Sequence, residues 1–219
     1  MTVELKAIAE AWACDHLRVG RPLRLCISGL MGSGKTYAAE SVVDMLNSVV
    51  RPAKRVSFGD VCRREWARRR QTRLEPDDPA WASIPTADLQ AIGVELSGAN
   101  GLGLVSQLDA VMSEDPTVDY VLDGGRRRAE LRWLADRAGF SLVWVSSPHD
   151  LRLRRLLHRA DRQDGDQEFL LRDQMNHPLE LEAAACYAVG MFHEVWPNGW
   201  EPPSVGGGDV PDESGDEPT

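Results

Sequence analysis

Apolar residues recur along this chain in two alternating patterns: short continuous runs, and longer stretches at helical spacing. Leu5, Ile8, Trp12 and His16 follow one another every three or four positions, which predicts a leading amphipathic helix over residues 3–17. Arg21-Pro22 breaks it. Leu23-Arg24-Leu25-Cys26-Ile27-Ser28 is a short apolar run that reads as a buried strand, and a glycine-rich loop follows it. Residues 36–49 read as a helix, 54–58 as a second strand and 61–70 as a charged helix. Residues 71–85, rich in proline and acid, read as loop. Residues 86–113 are helical in pattern, with Gly98, Gly101 and Gly103 marking a break. A third strand over 118–122 enters Asp123-Gly124-Gly125. A helix over 127–138, a fourth strand over 140–145 and an arginine-studded helix over 150–158 come next. A polar loop over 160–168 precedes more helix to about residue 189 and a fifth strand near 192–196.

Strands that alternate with helices predict an α/β fold: a five-stranded parallel sheet with helices on both faces, in three layers. One domain is expected over residues 1–200. Beyond it the composition collapses to Pro, Gly, Asp and Glu, and residues 201–219 are expected to be disordered for want of apolar groups. No internal repeat is visible.

Composition narrows the function classes. With 42% hydrophobic residues in 219 the chain can bury an ordinary core. No apolar run approaches the ~18–20 residues that span a bilayer, and the acid-containing N-terminus does not read as a signal peptide. The four cysteines form no CxxC pair, which argues against a zinc site and fits buried thiols in a reducing cytoplasm. The net charge of −9 includes six acids and no base from Glu201 onward, so the body carries −3. That leaves no basic face to suggest nucleic-acid binding. Only three of the 25 basic residues are lysines (Lys6, Lys35 and Lys54), and one of them stands where a phosphate-binding loop requires it.

Gly29-Leu30-Met31-Gly32-Ser33-Gly34-Lys35-Thr36 fits G-x-x-x-x-G-K-[ST] between a strand and a helix. The glycines let backbone N–H groups turn inward around a β-phosphate, and the helix that follows adds its positive dipole end. Lys35 is expected to bridge the β- and γ-phosphates of ATP, and the Thr36 hydroxyl to ligate Mg²⁺.

Asp123, at the end of the third strand, is placed either to hold the Mg²⁺ shell or to cap the next helix. Arg63, Arg126 and the group Arg152, Arg155, Arg159 and Arg162 each follow the carboxyl end of a strand, where ligands sit in open α/β sheets. Phosphoryl transfer spreads charge over equatorial oxygens, and such cations stabilise it.

These elements resemble, over about residues 23–199, the nucleoside monophosphate kinase group of P-loop proteins, closest to the deoxynucleoside monophosphate kinases. Ser57-Phe58-Gly59-Asp60-Val61-Cys62-Arg63 resembles the G-D-x-x-R element whose arginine grips the acceptor phosphate. Asp88-Leu89-Gln90-Ala91-Ile92-Gly93 resembles the L-Q-x-x-G segment of the deoxynucleotide enzymes. Val121-Leu122-Asp123-Gly124-Gly125-Arg126 resembles a strand ending in D-G-x-R. Residues 155–162 stand at the arginine-bearing lid, His177-Pro178-Leu179-Glu180 resembles an H-P-x-E element, and Trp196-Pro197-Asn198-Gly199 resembles the closing strand and turn. The resemblance implies an acceptor-binding insertion over about 60–115, a lid over about 155–168, and substrate contacts from Asp60, Arg63, Gln90 and Arg126.

The expected activity is ATP- and Mg²⁺-dependent phosphoryl transfer to a nucleoside monophosphate, with Arg63 and Arg126 clamping the acceptor phosphate. Arg155, Arg159 and Arg162 would close over the transferring group, because open water would otherwise accept it. Trp66, one turn from Arg63, is placed to stack on a base. Two alternatives stay open. A hydroxyl acceptor such as dephospho-coenzyme A or a nucleoside would need a base, and Asp60 could serve, unless it only caps a helix. A nucleotide-gated regulatory ATPase would need a protein partner. The partners expected are a small acceptor, no nucleic acid and no membrane, in a monomer or homodimer.

Overall fold

The computed structural model describes residues 4–17, 21–75, 78–136, 140–157 and 181–199. A parallel sheet is its centre: β1 (Arg24–Gly29), β2 (Ala53–Ser57), β3 (Asp119–Asp123), β4 (Phe140–Ser146) and β5 (Glu194–Pro197), in the order β2-β3-β1-β4-β5. All four pairings are parallel. Ile27 of β1 lies opposite Asp123, and Asp123 lies opposite Ser57 of β2. The helices are α1 (Leu5–His16), α2 (Lys35–Ser48), α3 (Phe58–Arg69), α4 (Pro79–Ala82), α5 (Thr86–Ser97), α6 (Gly103–Glu114), α7 (Arg128–Asp136) and α8 (His149–Leu157). Residues 181–188 are also helical (α9).

The central strands read as continuous apolar runs because both faces are covered. Alternate residues divide between two cores. Leu25, Ile27, Val121, Val143 and Val145 pack with Trp12 of α1 and Ala38, Val42 and Leu46 of α2. Cys26, Tyr120, Leu122 and Leu142 pack with Val61 of α3, Leu108 of α6 and Leu134 of α7. Each fully buried aliphatic side chain contributes about 1.5–3 kcal/mol. α1 lies on α2 and reaches β5, where the Trp12 and Trp196 indole N–H groups both donate to the Glu194 carboxylate, at 2.8 and 3.1 Å. His16 stacks on Trp12.

The predicted five-stranded α/β architecture is the one observed, with three local differences. The second strand ends at Ser57, which caps α3 by accepting from the Asp60 N–H at 3.0 Å, so Phe58 belongs to the helix. The stretch read wholly as loop contains the short helix α4, capped by Asp78, which buries Trp81. Cys26, Cys62 and Cys186 are buried free thiols, but Cys14 faces outward on α1. Among the described residues no helix is long and apolar enough to cross a membrane. The expected tail at 201–219, the polar loop at 160–168 and the His177-Pro178 element lie outside the described residues.

Candidate nucleotide and acceptor site

The loop from Gly29 to Thr36 joins β1 to α2 beside the point where the sheet order reverses, between β3 and β4. Glycines are required there. Gly32 has φ 76°, and a Cβ on it would meet the Arg152 carbonyl oxygen at 2.7 Å. Gly34 has φ 96°, and a Cβ would fall on the Asn198 amide nitrogen.

The carbonyl groups from Leu30 to Gly34 all find donors. Leu30 O accepts from Ser33 N at 3.1 Å, and Gly34 O accepts from Ala38 N at 3.0 Å. Met31 O accepts from Arg152 Nη1 at 3.0 Å and Gly32 O from Arg155 Nη1 at 3.1 Å. Ser33 O accepts from Asn198 Nδ2 at 2.7 Å and from Arg155 at 3.4 Å. Across a trans peptide plane the N–H opposes the preceding C=O. Drawing the carbonyls of Met31, Ser33 and Gly34 to one side therefore turns the N–H groups of Gly32, Gly34 and Lys35 to the other. α2 begins at Lys35 with glycine as its N-cap and no capping side chain. Its first-turn N–H groups suit an anion. The buried Ser33 hydroxyl has no hydrogen-bond partner among the described residues, a donor left over beside the loop. This set fits a polyphosphate.

The end of β3 is tied to this loop. Gly124 N donates to Ile27 O at 3.0 Å, and a Cβ on Gly124 would stand 4.0 Å from Lys35 Cε. Asp123, buried at the strand end, is the residue before this glycine. Thr36 and Asp123 supply the hard oxygen donors that suit Mg²⁺. Among the described residues no group of three or more His, Cys, Asp or Glu side chains could hold a metal by itself. A Mg²⁺ bound chiefly through phosphates needs only one or two protein oxygens.

Arg55 of β2, not singled out by sequence, joins three acids. Its Nη1 is 3.0 Å from Asp123 Oδ2, its Nη2 is 3.8 Å from Asp60 Oδ2, and its Nε is 3.9 Å from Glu40 Oε1. Asp60 Oδ1 is also 3.3 Å from Arg63 Nη1. Arg63 Nε donates to Trp81 O at 3.2 Å, and its guanidinium lies 5.9 Å from the Trp81 ring centroid. Arg63 Nη2 makes no hydrogen bond among the described residues. Asp60, Arg63 and Asp123 are thus brought into one ionic network. Asp60 is not merely a cap, since Ser57 caps α3.

Arg126 lies half-buried just past this network, and its backbone N–H donates to Glu130. Burial pushes the Glu130 carboxyl up, against the opposing hydrogen bonds from the Arg127 and Arg126 N–H groups. Gln90 is half-buried on α5, one turn before Gly93, which faces the Cys62 thiol. Burial raises that thiol to about 11.

Two expected roles change. Arg155 is not placed as a mobile lid cation. α8 runs against Gly32, and the Arg155 guanidinium is spent on Gly32 O, Ser33 O, Ser147 Oγ at 2.9 Å, and Asn198 O and Oδ1, both at 3.2 Å. Trp66 has one ring face already taken by the Arg70 guanidinium, 4.3 Å from its centroid, and Asp88 accepts from its Nε1 at 2.8 Å. Arg159 and Arg162 lie outside the described residues.

Compared with protein-family models and with curated protein sequences, the chain matches none. Among solved structures it is similar to shikimate kinase from Bacteroides thetaiotaomicron, with a TM-score of 0.44 and 14% identity, covering 79% of this chain and 85% of that one. It is similar to shikimate kinase from Acinetobacter baumannii in complex with shikimate, with a TM-score of 0.39 and 16% identity over 84% and 86% of the two chains. It is also similar to an uncharacterised protein from Eubacterium ventriosum, with a TM-score of 0.43 and 12% identity over 81% and 89%. The P-loop fold stands on the sheet order and on the loop between β1 and α2.

Proposed function

We propose that this protein transfers the γ-phosphoryl group of ATP to a hydroxyl of a small acceptor, with Asp60 as the base. The observation that carries this reading is the placement of Asp60: a carboxylate held by Arg63 and Arg55 and linked through Arg55 to Asp123, the residue before the glycine that faces Lys35.

A hydroxyl must lose a proton as it attacks, and a positioned carboxylate is worth typically ~10²–10⁴ in rate. A phosphate acceptor needs no base and would bring its own negative charge beside Asp60. Like charges ~5 Å apart repel by about 3 kcal/mol at an effective dielectric constant of about 20. Arg55 and Arg63 already answer acids. The inward N–H groups and Lys35 would hold the donor phosphates. A Mg²⁺ on Thr36 and Asp123 would neutralise charge on the β- and γ-oxygens.

A nucleoside monophosphate acceptor is the second reading. It is favoured by Arg63, whose Nη2 edge could meet a phosphate, and by Arg126 just past Gly125.

Product chemistry separates the two. With ATP, Mg²⁺ and a panel of small alcohols and nucleoside monophosphates, phosphorus NMR should show a new phosphomonoester. A new phosphoanhydride would favour the second reading, and neither product, with ATP intact, would sink both.

A further inference from the structure

Two side chains outside the phosphate-binding loop converge on a peptide unit of that loop which a glycine would leave able to turn over. The peptide between Ser33 and Gly34 is followed by a glycine at φ 96°, in the left-handed region. A glycine tolerates either orientation of its preceding peptide at small cost. If that plane turned over, the Ser33 carbonyl would face the phosphate where the Gly34 N–H now does, and an attractive dipole would become a repulsive one.

We infer that Asn198 and Arg155 are positioning residues that lock this peptide in the phosphate-binding orientation. Asn198 Nδ2 donates to Ser33 O at 2.7 Å, and Arg155 Nη1 adds bonds to Ser33 O at 3.4 Å and Gly32 O at 3.1 Å. The two are joined to each other, since Arg155 Nη2 donates to Asn198 O and Oδ1, both at 3.2 Å. Asn198 is itself fixed, being buried and donating its backbone N–H to Ser146 O at 2.7 Å at the end of β4. The clasp thus spans three elements: α8, the end of β4 and the turn after β5. Both act through the loop backbone, by way of the Ser33 carbonyl.

The inference rests on the reading that the loop binds phosphates. It differs from nucleoside recognition in what it predicts for a ligand that has no nucleoside. Asn198→Asp is close to isosteric. Its carboxylate still accepts from Arg155, but an oxygen now faces the Ser33 carbonyl in place of the donor. Arg155→Lys is the second variant, since one ammonium cannot reach five acceptors at once.

Affinities for ADP and for inorganic tripolyphosphate, both with Mg²⁺, are measured by calorimetry on wild type and variants, beside their melting temperatures. The lock predicts a loss on the order of tenfold for Asn198→Asp, the same for both ligands, and a smaller shared loss for Arg155→Lys. Melting temperatures should move little. A loss confined to ADP would mean that Asn198 touches the nucleoside and would overturn the lock. Unchanged affinity for both ligands in folded variants would overturn it too. Should Asn198→Asp not fold, Arg155→Lys decides on the same criteria. If the wild type binds neither ligand, the phosphate-binding reading itself fails and the lock falls with it.

Discussion

Arg55 and Asp123 are paired at 3.0 Å on adjacent strands, and the same guanidinium reaches Asp60 at 3.8 Å, so one cation lies between the candidate base and the candidate metal ligand. Parallel pairing of β2 with β3 creates the relationship, because it sets Ser57 opposite Asp123 and starts α3 at that level.

Removing this cation should cost catalysis more than nucleotide binding. A charged hydrogen bond contributes roughly 1.5–3 kcal/mol, on the order of 10–100-fold in rate. Arg55→Met should lower kcat by that order, with ADP affinity within about twofold of wild type, and Arg55→Lys should recover part of the loss. Equal losses in kcat and in affinity would assign Arg55 to the phosphate site instead.

Trp81 of α4 is buried within the segment between β2 and β3, the expected insertion. Replacing a buried aromatic by alanine costs about 3–5 kcal/mol. Trp81→Ala should approach that loss in chemical denaturation. It should raise KM for the acceptor more than it lowers kcat, because the Arg63 guanidinium lies over the Trp81 ring that the substitution removes. A variant as stable as wild type would show that α4 does not hold the insertion.

Charge also ties this insertion together. Arg68 and Arg69 hydrogen-bond Glu65, and Arg69 continues to Glu95 on α5, at 2.9 and 2.6 Å. Those bonds hold the Glu65 carboxyl at about 2, below its ordinary 4.5. A depressed carboxyl stabilises the fold fully above 4.5, and that contribution is lost as pH falls through 2. Glu65→Gln should therefore flatten the fall in melting temperature between pH 4.5 and 2. An unchanged slope would show that the belt does not contribute.

Much of this was legible in sequence because it is local. The motif Gly29 to Thr36 and the strand–loop–helix around it depend on neighbours in the chain, and so do the short apolar runs of a sheet covered on both faces. What escaped depends on contacts across the fold. Arg55 looks like any polar residue on a short edge strand, and its meaning comes from Asp123, far along the chain and paired only through β2 and β3. Arg155 sits in an arginine-rich helix that suggested a lid. Only the approach of α8 to Gly32 shows that it serves loop carbonyls instead. Asn198 was visible as part of a turn, yet its amide acts on Ser33. Trp81 was hidden by the proline- and acid-rich composition around a helix of one turn.

The central claim is γ-phosphoryl transfer to a separate acceptor, and the most direct measurement is ADP release with and without that acceptor. ATP turnover by the wild type should be slow alone and rise by orders of magnitude when the right small alcohol or nucleotide is added. Asp60→Asn should reduce that stimulated rate by about 10²–10⁴ if the acceptor is a hydroxyl. Lys35→Ala should abolish it while circular dichroism stays that of wild type. Turnover that ignores every small acceptor, survives Lys35→Ala, or rises only with a protein partner would contradict the account.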